Sequence, residues 1–290
     1  MSGQSDIPRR AHPIADVVGR VDQRLSGEIE GPDAISSGFP SVDRALGGGF
    51  RRRDLIVLGG DVGSGKSSLA LAMALRASER NERVVFMSGE MDEDRLWERA
   101  LASEARVRLD DIRRGRLADE TRAALGAAAV RLRARPLRVV PMAAASLAET
   151  TERLLRASAA LTVVDYLQLL PAAIESRNAE EEHAAAVRRM KEIAAAADTA
   201  LLLLSQLPRH DPKRRDPRPE LDDFGALGAV KYHADVVLGL YREEMYHTAR
   251  GMEGATELVI AKNRHGGTGF VDLYFYREWM RFEDMVEPDR

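Results

Sequence analysis

Apolar residues in this chain form short continuous runs, and longer stretches of helical periodicity lie between them. Runs of this kind, without apolar–polar alternation, indicate strands buried on both faces of a sheet. They predict strands at 55–58, 83–88, 137–140, 161–165 and 200–205. The intervening stretches predict helices at 66–80, 92–104, 109–114, 117–134, 147–158 and from about 183 to 197. Strands that alternate with helices predict an α/β fold, with a mostly parallel twisted sheet and helices on both faces.

Both ends of the chain depart from this alternation. Further strands are predicted at 235–241, 257–262 and 270–276. The glycine-rich link between the last two predicts an antiparallel hairpin at the sheet edge. The polar residues 1–12 predict a disordered tail. Apolar positions at helical spacing predict an amphipathic helix within 13–31, which packs either on its own domain or on a neighbouring subunit. Residues 32–290 are then expected to form one domain.

A glycine-rich stretch from Gly60 to Ser67 follows the first strand and opens the next helix. It matches the phosphate-binding pattern G-x-x-x-x-G-K-[ST] at every defined position. Its glycines let backbone N–H groups turn toward phosphate oxygens, and the helix N-terminus adds partial positive charge. Lys66 would reach the β- and γ-phosphates, and Ser67 would bind Mg²⁺. The predicted nucleotide contacts are Gly60, Val62, Gly63, Ser64, Gly65, Lys66, Ser67 and Ser68.

Three polar side chains at strand ends are candidates for the hydrolytic chemistry. Asp165 ends an apolar strand and is predicted to hold Mg²⁺ through Ser67 or water, the alternative being a simple capping role. Glu90 follows another strand and is the candidate base for the attacking water. The next two acids along the chain compete for this role, although they lie in a first helical turn, where acids are favoured anyway. Gln206 ends a third strand and would contact the γ-phosphate.

Two basic stretches are candidates for contacts beyond the nucleotide. The loop after Gln206 is the clearest local basic patch, and it would bind an anionic polymer, although charge runs of this kind are usually solvated. The residues predicted to contact that polymer are Arg209, Arg214, Arg215 and Arg218. Lys262 and Arg264 are two residues apart at the end of a strand and would project from one face. In a ring-forming hydrolase such a pair would enter the neighbouring subunit's site as an arginine finger.

Composition narrows the remaining classes of protein. The 290 residues include no cysteine, which excludes disulfides and thiolate metal sites, and the six scattered histidines make a histidine zinc site unexpected. No apolar stretch is long enough to suggest a membrane span, and the cytoplasm is the expected compartment. The net charge of -3 does not indicate a nucleic-acid partner, so any basic footprint must be local.

In this order, the motifs resemble the C-terminal ATPase domain of DnaB-type replicative DNA helicases, hexameric relatives of the RecA core. The resemblance runs from about Ile35 to Phe282. Besides the P-loop, it is carried by the stretches 37–43, 88–91, 165–170, 205–209, 234–237 and 261–264.

The resemblance implies a RecA-like P-loop core that hydrolyses ATP with Mg²⁺. Glu90 would be the catalytic base, Asp165 the Walker B ligand and Gln206 the γ-phosphate sensor, while Lys262 and Arg264 would act in trans on the neighbouring subunit's ATP. It also implies a homo-hexameric ring around single-stranded DNA, a helix at 13–31 docked on the adjacent subunit, and a helicase loader or primase as partner.

Two departures from the family pattern affect the predicted function. The helical N-terminal domain of the family is expected to be missing, and the family's central loop Asp-Leu-Arg-Glu-Ser-Gly is Asp-Phe-Gly-Ala-Leu-Gly at 223–228 here. DNA would then be contacted by backbone N–H groups near Gly225 and Gly228, together with the arginines of the preceding loop. Two alternatives to a helicase therefore stay open. One is a RecA-core ATPase acting as a recombination or regulatory mediator without duplex unwinding, and the other is a nucleotide-binding homologue that serves only in assembly.

Overall fold

A computed structural model describes residues 13–26, 34–142, 147–170, 178–208, 214–246 and 252–285. The chain divides into two compact units, residues 1–33 and 34–290. In the first unit, helix α1 spans Pro13–Leu25 and its apolar side chains at 14, 17, 18, 21 and 25 are exposed. The tail predicted at 1–12 and the end of the helix predicted beyond residue 26 lie outside the described residues.

The second unit contains eight described helices and one nine-stranded sheet. Its helices are α2 Pro40–Ala45, α3 Lys66–Glu79, α4 Glu93–Ala105, α5 Leu109–Arg114, α6 Asp119–Ala134, α7 Leu147–Ala157, α8 Ala179–Ala196 and α9 Ala229–His233. Its strands are β1 Leu55–Gly60, β2 Val84–Ser88, β3 Leu137–Pro141, β4 Leu161–Asp165, β5 Ala200–Gln206, β6 Val236–Arg242, β7 Ala255–Asn263, β8 Gly269–Tyr276 and β9 Arg281–Asp284.

The sheet follows the order β3-β2-β4-β5-β1-β6-β7-β8-β9. Neighbouring strands from β3 to β6 run parallel, and the pairs from β6 to β9 are antiparallel. The predicted α/β fold with a mostly parallel sheet is therefore confirmed. The predicted hairpin is β7–β8, but β9 lies beyond it as the edge strand. Only four residues form β9, and one of them, Phe282, is fully buried, so the local pattern is too short to reveal it.

Two apolar cores lie on opposite faces of the sheet because successive strand residues point to opposite sides. In β4, Val163 packs in the core that also contains Met73 of α3, whereas Val164 packs in the core that contains Met190 of α8. Strands covered on both faces have no solvent side, which explains why their sequences show continuous apolar runs rather than alternation.

The parallel strands bring their carboxyl ends to one edge of the sheet. Gly60, at the end of β1, is aligned with Gln206, at the end of β5. Ser88, at the end of β2, is aligned with Asp165, at the end of β4. This edge therefore gathers chain segments that are far apart in sequence, as is usual for ligand sites in open α/β sheets.

Candidate functional site

A cleft of about 570 Å³ opens at the carboxyl edge of the parallel strands. It brings together most of the residues predicted for nucleotide binding and hydrolysis. Its lining includes Val62, Gly63, Gly65, Lys66, Ser67, Ser68, Glu90, Asp165 and Gln206. It also includes side chains for which the sequence predicted no role, namely Arg99, Tyr166, Arg242, Glu244, Met245, Phe275, Arg277 and Met280.

The P-loop bends sharply between β1 and α3, and its glycines permit that path. Gly63 and Gly65 have φ angles of 77° and 101°, in the left-handed region that side chains rarely adopt. Gly65 is the N-cap of α3, and a Cβ atom there would lie 3.1 Å from the ring of Phe282. The Ser64 hydroxyl is buried and has no hydrogen-bond partner among the described residues. A buried polar group of this kind, beside a helix N-terminus, suits a phosphate oxygen.

Lys66 lies folded over the loop that it belongs to. Its Nζ atom is 2.8 Å from the carbonyl oxygen of Gly60 and 2.8 Å from that of Asp61. Burial lowers the pKa of the Lys66 ammonium, while the nearby carboxylates of Asp165, Asp61 and Glu90 oppose that shift. The ammonium group is thus held in the cleft by two neutral carbonyl oxygens. A bound phosphate, which is negatively charged, would be a stronger hydrogen-bond partner and would replace them.

Asp165 and Ser67 form a pair of oxygen ligands suited to magnesium. Asp165 is 1% exposed, and its Oδ2 atom has no hydrogen-bond partner among the described residues. Burial raises the pKa of Asp165 to about 6, whereas a hydrogen bond from Ser67 opposes the shift. The described residues contain no cluster of three or more His, Cys, Asp or Glu placed around one metal position. A magnesium ion bound here would therefore take its other ligands from phosphate and water, as is usual for Mg²⁺ with nucleotides.

Glu90 stands at the mouth of the cleft, two residues after the end of β2. The backbone leading to it is held to β4, because the Gly89 N–H donates to the carbonyl oxygen of Asp165 at 2.7 Å. The negative charge of Glu90 contributes to the raised pKa of Asp165. Its side chain is exposed and lines the cleft, so it remains the candidate general base.

Gln206 is tied to the segment that follows β4. The side chain of Gln168 accepts a hydrogen bond from the Gln206 N–H at 3.2 Å and donates to its carbonyl oxygen at 3.1 Å. The sequence predicted no role for Gln168, although its polar side chain three residues after Asp165 could have indicated one. These two hydrogen bonds fix the position of the Gln206 backbone relative to the segment that follows Asp165.

Three arginines without a predicted role line the cleft, and the contacts of two of them, Arg99 and Arg242, bear on the site. Arg99 projects from α4 near Glu90 and Asp165, and its buried Nε atom has no partner among the described residues. Burial lowers the pKa of Arg99. Arg242 ends β6 and donates to the carbonyl oxygen of Gly63 at 3.2 Å. Its position at the carboxyl end of a strand could have indicated it, once β6 was known to lie beside β1.

Lys262 and Arg264 lie away from this cleft, near the amino-terminal ends of the parallel strands. Lys262 pairs with Val237 near the start of β6, and Val237 is aligned with Val57 of β1. The chain then needs three more residues, about 10 Å, to reach Gly60. The pair therefore lies near the end of the strands that is opposite the cleft.

The basic loop is less available than its sequence suggested. Arg214 forms two hydrogen bonds with the carboxylate of Asp223, at 2.7 and 2.8 Å. Arg218 forms a similar pair with Glu257, at 2.5 and 2.6 Å. Arg215 is exposed, and it has no ion-pair partner within the described part of the chain. Arg209 lies outside the described residues.

The central loop at 223–228 is closed by hydrogen bonds of its own. The Gly228 N–H donates to the carbonyl oxygen of Gly225 at 3.0 Å, and the Leu227 N–H donates to Glu180 at 3.2 Å. One of the two glycine N–H groups predicted near DNA is thus already engaged within the loop.

No helix among those described is both long and apolar enough to cross a bilayer.

Comparison with known proteins identifies the family. The sequence model of the DnaB-like helicase C-terminal domain matches residues 34–284. The chain is 32% identical over 265 residues to the replicative DNA helicase DnaB of Geobacillus stearothermophilus, covering 89% of this chain and 58% of that protein. It is 30% identical to the replicative DNA helicase DnaC of Bacillus subtilis (strain 168), with the same coverage of each chain.

Solved structures show the same fold. The ATPase domain of G40P superposes with a TM-score of 0.87 at 24% identity, covering 96% of this chain and 100% of that one. A DnaB-like replicative helicase, studied with its primase interactions, superposes with a TM-score of 0.85 at 24% identity and covers 96% of this chain and 68% of its own. The chain spans somewhat over half the length of the curated helicases that it matches. On the strength of the family match, the chain belongs to the DnaB-like helicase C-terminal domain family.

Proposed function

We propose that this chain is the ATP-hydrolysing motor of a DnaB-type helicase, which works at the subunit interfaces of a hexameric ring and moves along single-stranded DNA. One observation carries the proposal. The cleft gathers the glycine-rich loop at 60–67 with Glu90 and Asp165, whereas Lys262 pairs near the start of β6, at the other end of the strands. A second copy of the chain would add its Lys262 and Arg264 to the cations that already line this cleft.

The residues of the cleft divide the work of phosphoryl transfer. The P-loop N–H groups, Ser64 and Lys66 would bind the phosphates, and Ser67 with Asp165 would hold Mg²⁺. The magnesium ion would supply positive charge that neutralises the β- and γ-phosphate oxygens. Glu90 would accept the proton of the attacking water. Gln206, tied to Gln168, would contact the γ-phosphate and pass its presence to the loop that follows.

In the assembled ring, Lys262 and Arg264 would enter the neighbouring subunit's cleft. Cations placed beside the transferred phosphoryl group stabilise charge in the transition state and accelerate hydrolysis by about 10³- to 10⁵-fold in related enzymes. The exposed apolar face of α1 would dock on the adjacent subunit, as the family resemblance implies. A primase or a helicase loader is proposed as partner by analogy with the helicase structure that records primase interactions, and the cytoplasm is the proposed compartment.

The decisive experiment combines assembly and activity. Mass measurement with a non-hydrolysable ATP analogue should give a six-subunit species, and ATPase activity should rise when single-stranded DNA is added. A forked duplex should be unwound only with hydrolysable nucleotide. A monomer in every nucleotide state, with full ATPase activity, would contradict the interfacial site.

A second candidate, a ring-forming ATPase that acts as a recombination or regulatory mediator, is favoured by a different observation. Arg214 and Arg218 are already paired with Asp223 and Glu257. In the central loop, the arginine and the glutamate of the family pattern are replaced by Gly225 and Ala226. A lower affinity for DNA would follow, since unpaired cations provide most of the affinity for the phosphate backbone. ATPase activity stimulated by single-stranded DNA, with no strand displacement on forks, would select the mediator over the helicase.

A further inference from the structure

The buried carboxylate of Asp235 binds Arg264 and Lys191 at the end of the sheet opposite the cleft. Asp235, just before β6, is 1% exposed. Its Oδ1 atom lies 2.9 Å from Nη1 of Arg264. Its Oδ2 atom accepts from the Leu55 N–H at 2.8 Å and from Nζ of Lys191 at 2.5 Å. Each oxygen of the carboxylate thus has its own set of donors, and Oδ1 is left to Arg264.

Backbone carbonyl groups around Asp235 hold Arg264 by its main chain and Lys262 by its ammonium group. The Arg264 N–H donates to the carbonyl oxygen of Asp235 at 2.9 Å. Lys262 Nζ donates to the carbonyl oxygens of Lys231 and Ala234, at 2.7 and 2.6 Å. The guanidinium of Arg264 nevertheless stays half exposed, with 50% of its side-chain surface accessible. It is therefore anchored on one side and free to meet a partner on the other.

We propose that Asp235 is a positioning residue, which aims Arg264 at the nucleotide bound by the neighbouring subunit. The inference rests on the proposed interfacial site and adds the residue that orients its cation. A long, flexible arginine loses rotamer freedom when it reaches into a partner's site, and a pre-formed bond to a buried carboxylate removes that freedom beforehand. The Leu55 N–H donates to the other carboxylate oxygen, so Asp235 keeps a hydrogen-bond partner when Arg264 shifts toward a phosphate.

Subunit complementation tests this proposal in the full chain. Lys66→Ala subunits have a dead cleft but intact cations, and Arg264→Ala subunits have an intact cleft but no finger. Co-expressed with different tags and purified through both, the two variants should form mixed rings that regain ATP hydrolysis. With a Lys66→Ala/Asp235→Asn donor, the restored kcat should be at least about tenfold lower than with the Lys66→Ala donor. KM for ATP should be unchanged, since only the orientation of the finger is altered.

The matched control is a Lys66→Ala/Lys191→Met donor. It removes the other ion pair of the same carboxylate and leaves the bond to Arg264. We expect it to restore hydrolysis within about twofold of the Lys66→Ala donor, since the finger keeps its anchor. An equal loss with both donors would overturn the proposal, because the carboxylate would then serve the stability of this edge and not the finger.

A double-mutant cycle covers the case in which the Asp235→Asn donor assembles poorly. If Asp235 acts through Arg264, then Asp235→Asn should lower kcat in the wild type and cause no further loss in Arg264→Ala rings. Additive losses would refute the positioning role. If the Lys66→Ala and Arg264→Ala variants fail to complement at all, the interfacial site itself is wrong. If they complement and the Asp235→Asn donor performs equally well, only the role of Asp235 falls.

Discussion

Arg242 donates a hydrogen bond of 3.2 Å to the backbone carbonyl of Gly63 and so braces the P-loop from the end of a neighbouring strand. The guanidinium also lies over the ring of Phe275, 4.9 Å from its centroid, and Phe275 stacks on Phe282 at 4.3 Å. These contacts come from β6, β8 and β9, which are more than 170 residues away in sequence from the loop that they hold. The shape of the phosphate site therefore depends on the antiparallel part of the sheet.

Replacing this brace should weaken nucleotide binding. Arg242→Met keeps a long apolar stem against Phe275 but removes the donor to Gly63. A hydrogen bond from a charged group contributes about 1.5 kcal/mol or more, so the affinity for a fluorescent ATP analogue should fall about tenfold in titrations. Arg277→Met is the matched control, because it removes a cation from the same cleft without touching the P-loop. An equal loss in that control would mean that the charge of the cleft, and not the brace, sets affinity.

Glu90→Gln should separate binding from chemistry. The amide keeps the size of the side chain but cannot accept the proton of the attacking water. We expect turnover to fall by roughly 10²- to 10⁴-fold in steady-state ATPase assays, with the dissociation constant for ATP little changed. Glu93→Gln, on the first turn of α4, should keep a turnover close to that of the wild type. The Glu93 side chain does not line the cleft, and it accepts a hydrogen bond from the Trp97 side chain at 3.2 Å. Normal turnover in Glu90→Gln would place the base elsewhere.

The buried carboxylate of Asp165 should cost stability at neutral pH when the site holds no ligand. Burial raises its pKa from 3.8 to about 6. Between these values the folded chain holds a proton that the unfolded chain has lost, so folding stability falls as pH rises from about 4 to 6 and stays lower above it. The difference of about 2 between the pKa values corresponds to about 3 kcal/mol at most.

Asp165→Asn should therefore be more stable than the wild type at pH 8 in urea unfolding with a chelator and no nucleotide. The advantage should shrink as the pH falls through 6 toward 4. Saturating magnesium and ATP should reverse the order, because a ligand that binds the wild type more tightly stabilises it more. A variant less stable than the wild type at pH 8 would show that the contacts of the ionised carboxylate with Ser67 and Lys66 outweigh its burial.

Arg215 is the described loop arginine best placed to test nucleic-acid binding. Its side chain is exposed, whereas Arg214 already forms its bonds with Asp223. Arg215→Ala should weaken binding to single-stranded DNA and reduce the salt dependence of the affinity by about 0.7 in log–log slope. Arg214→Ala should mainly lower the thermal midpoint, since Asp223 also caps the turn at 221–224. If the salt slope is the same in Arg215→Ala as in the wild type, Arg215 does not contact the DNA backbone.

The pairing of loop cations shows where sequence reasoning stopped. Arg214 and Arg218 were expected to face an anionic polymer, because local composition counts charges without their partners. Glu257, which binds Arg218, lies 39 residues further on, in β7. Its approach depends on β7 pairing with β6, a consequence of the sheet order that no local window contains.

The sequence by itself determined the features whose causes are local. Apolar runs predicted the strands that are buried on both faces, and the glycines and lysine of the P-loop predicted its path, because periodicity and backbone freedom act over a few residues. The polar side chains at the ends of β2, β4 and β5 were predicted to meet, since parallel strands end at one edge. Tertiary structure alone decided that Arg99 and Arg242 enter the cleft and that Asp235 binds Arg264. Those contacts join distant segments, and their energies are realised only after the order of the strands has brought the partners together.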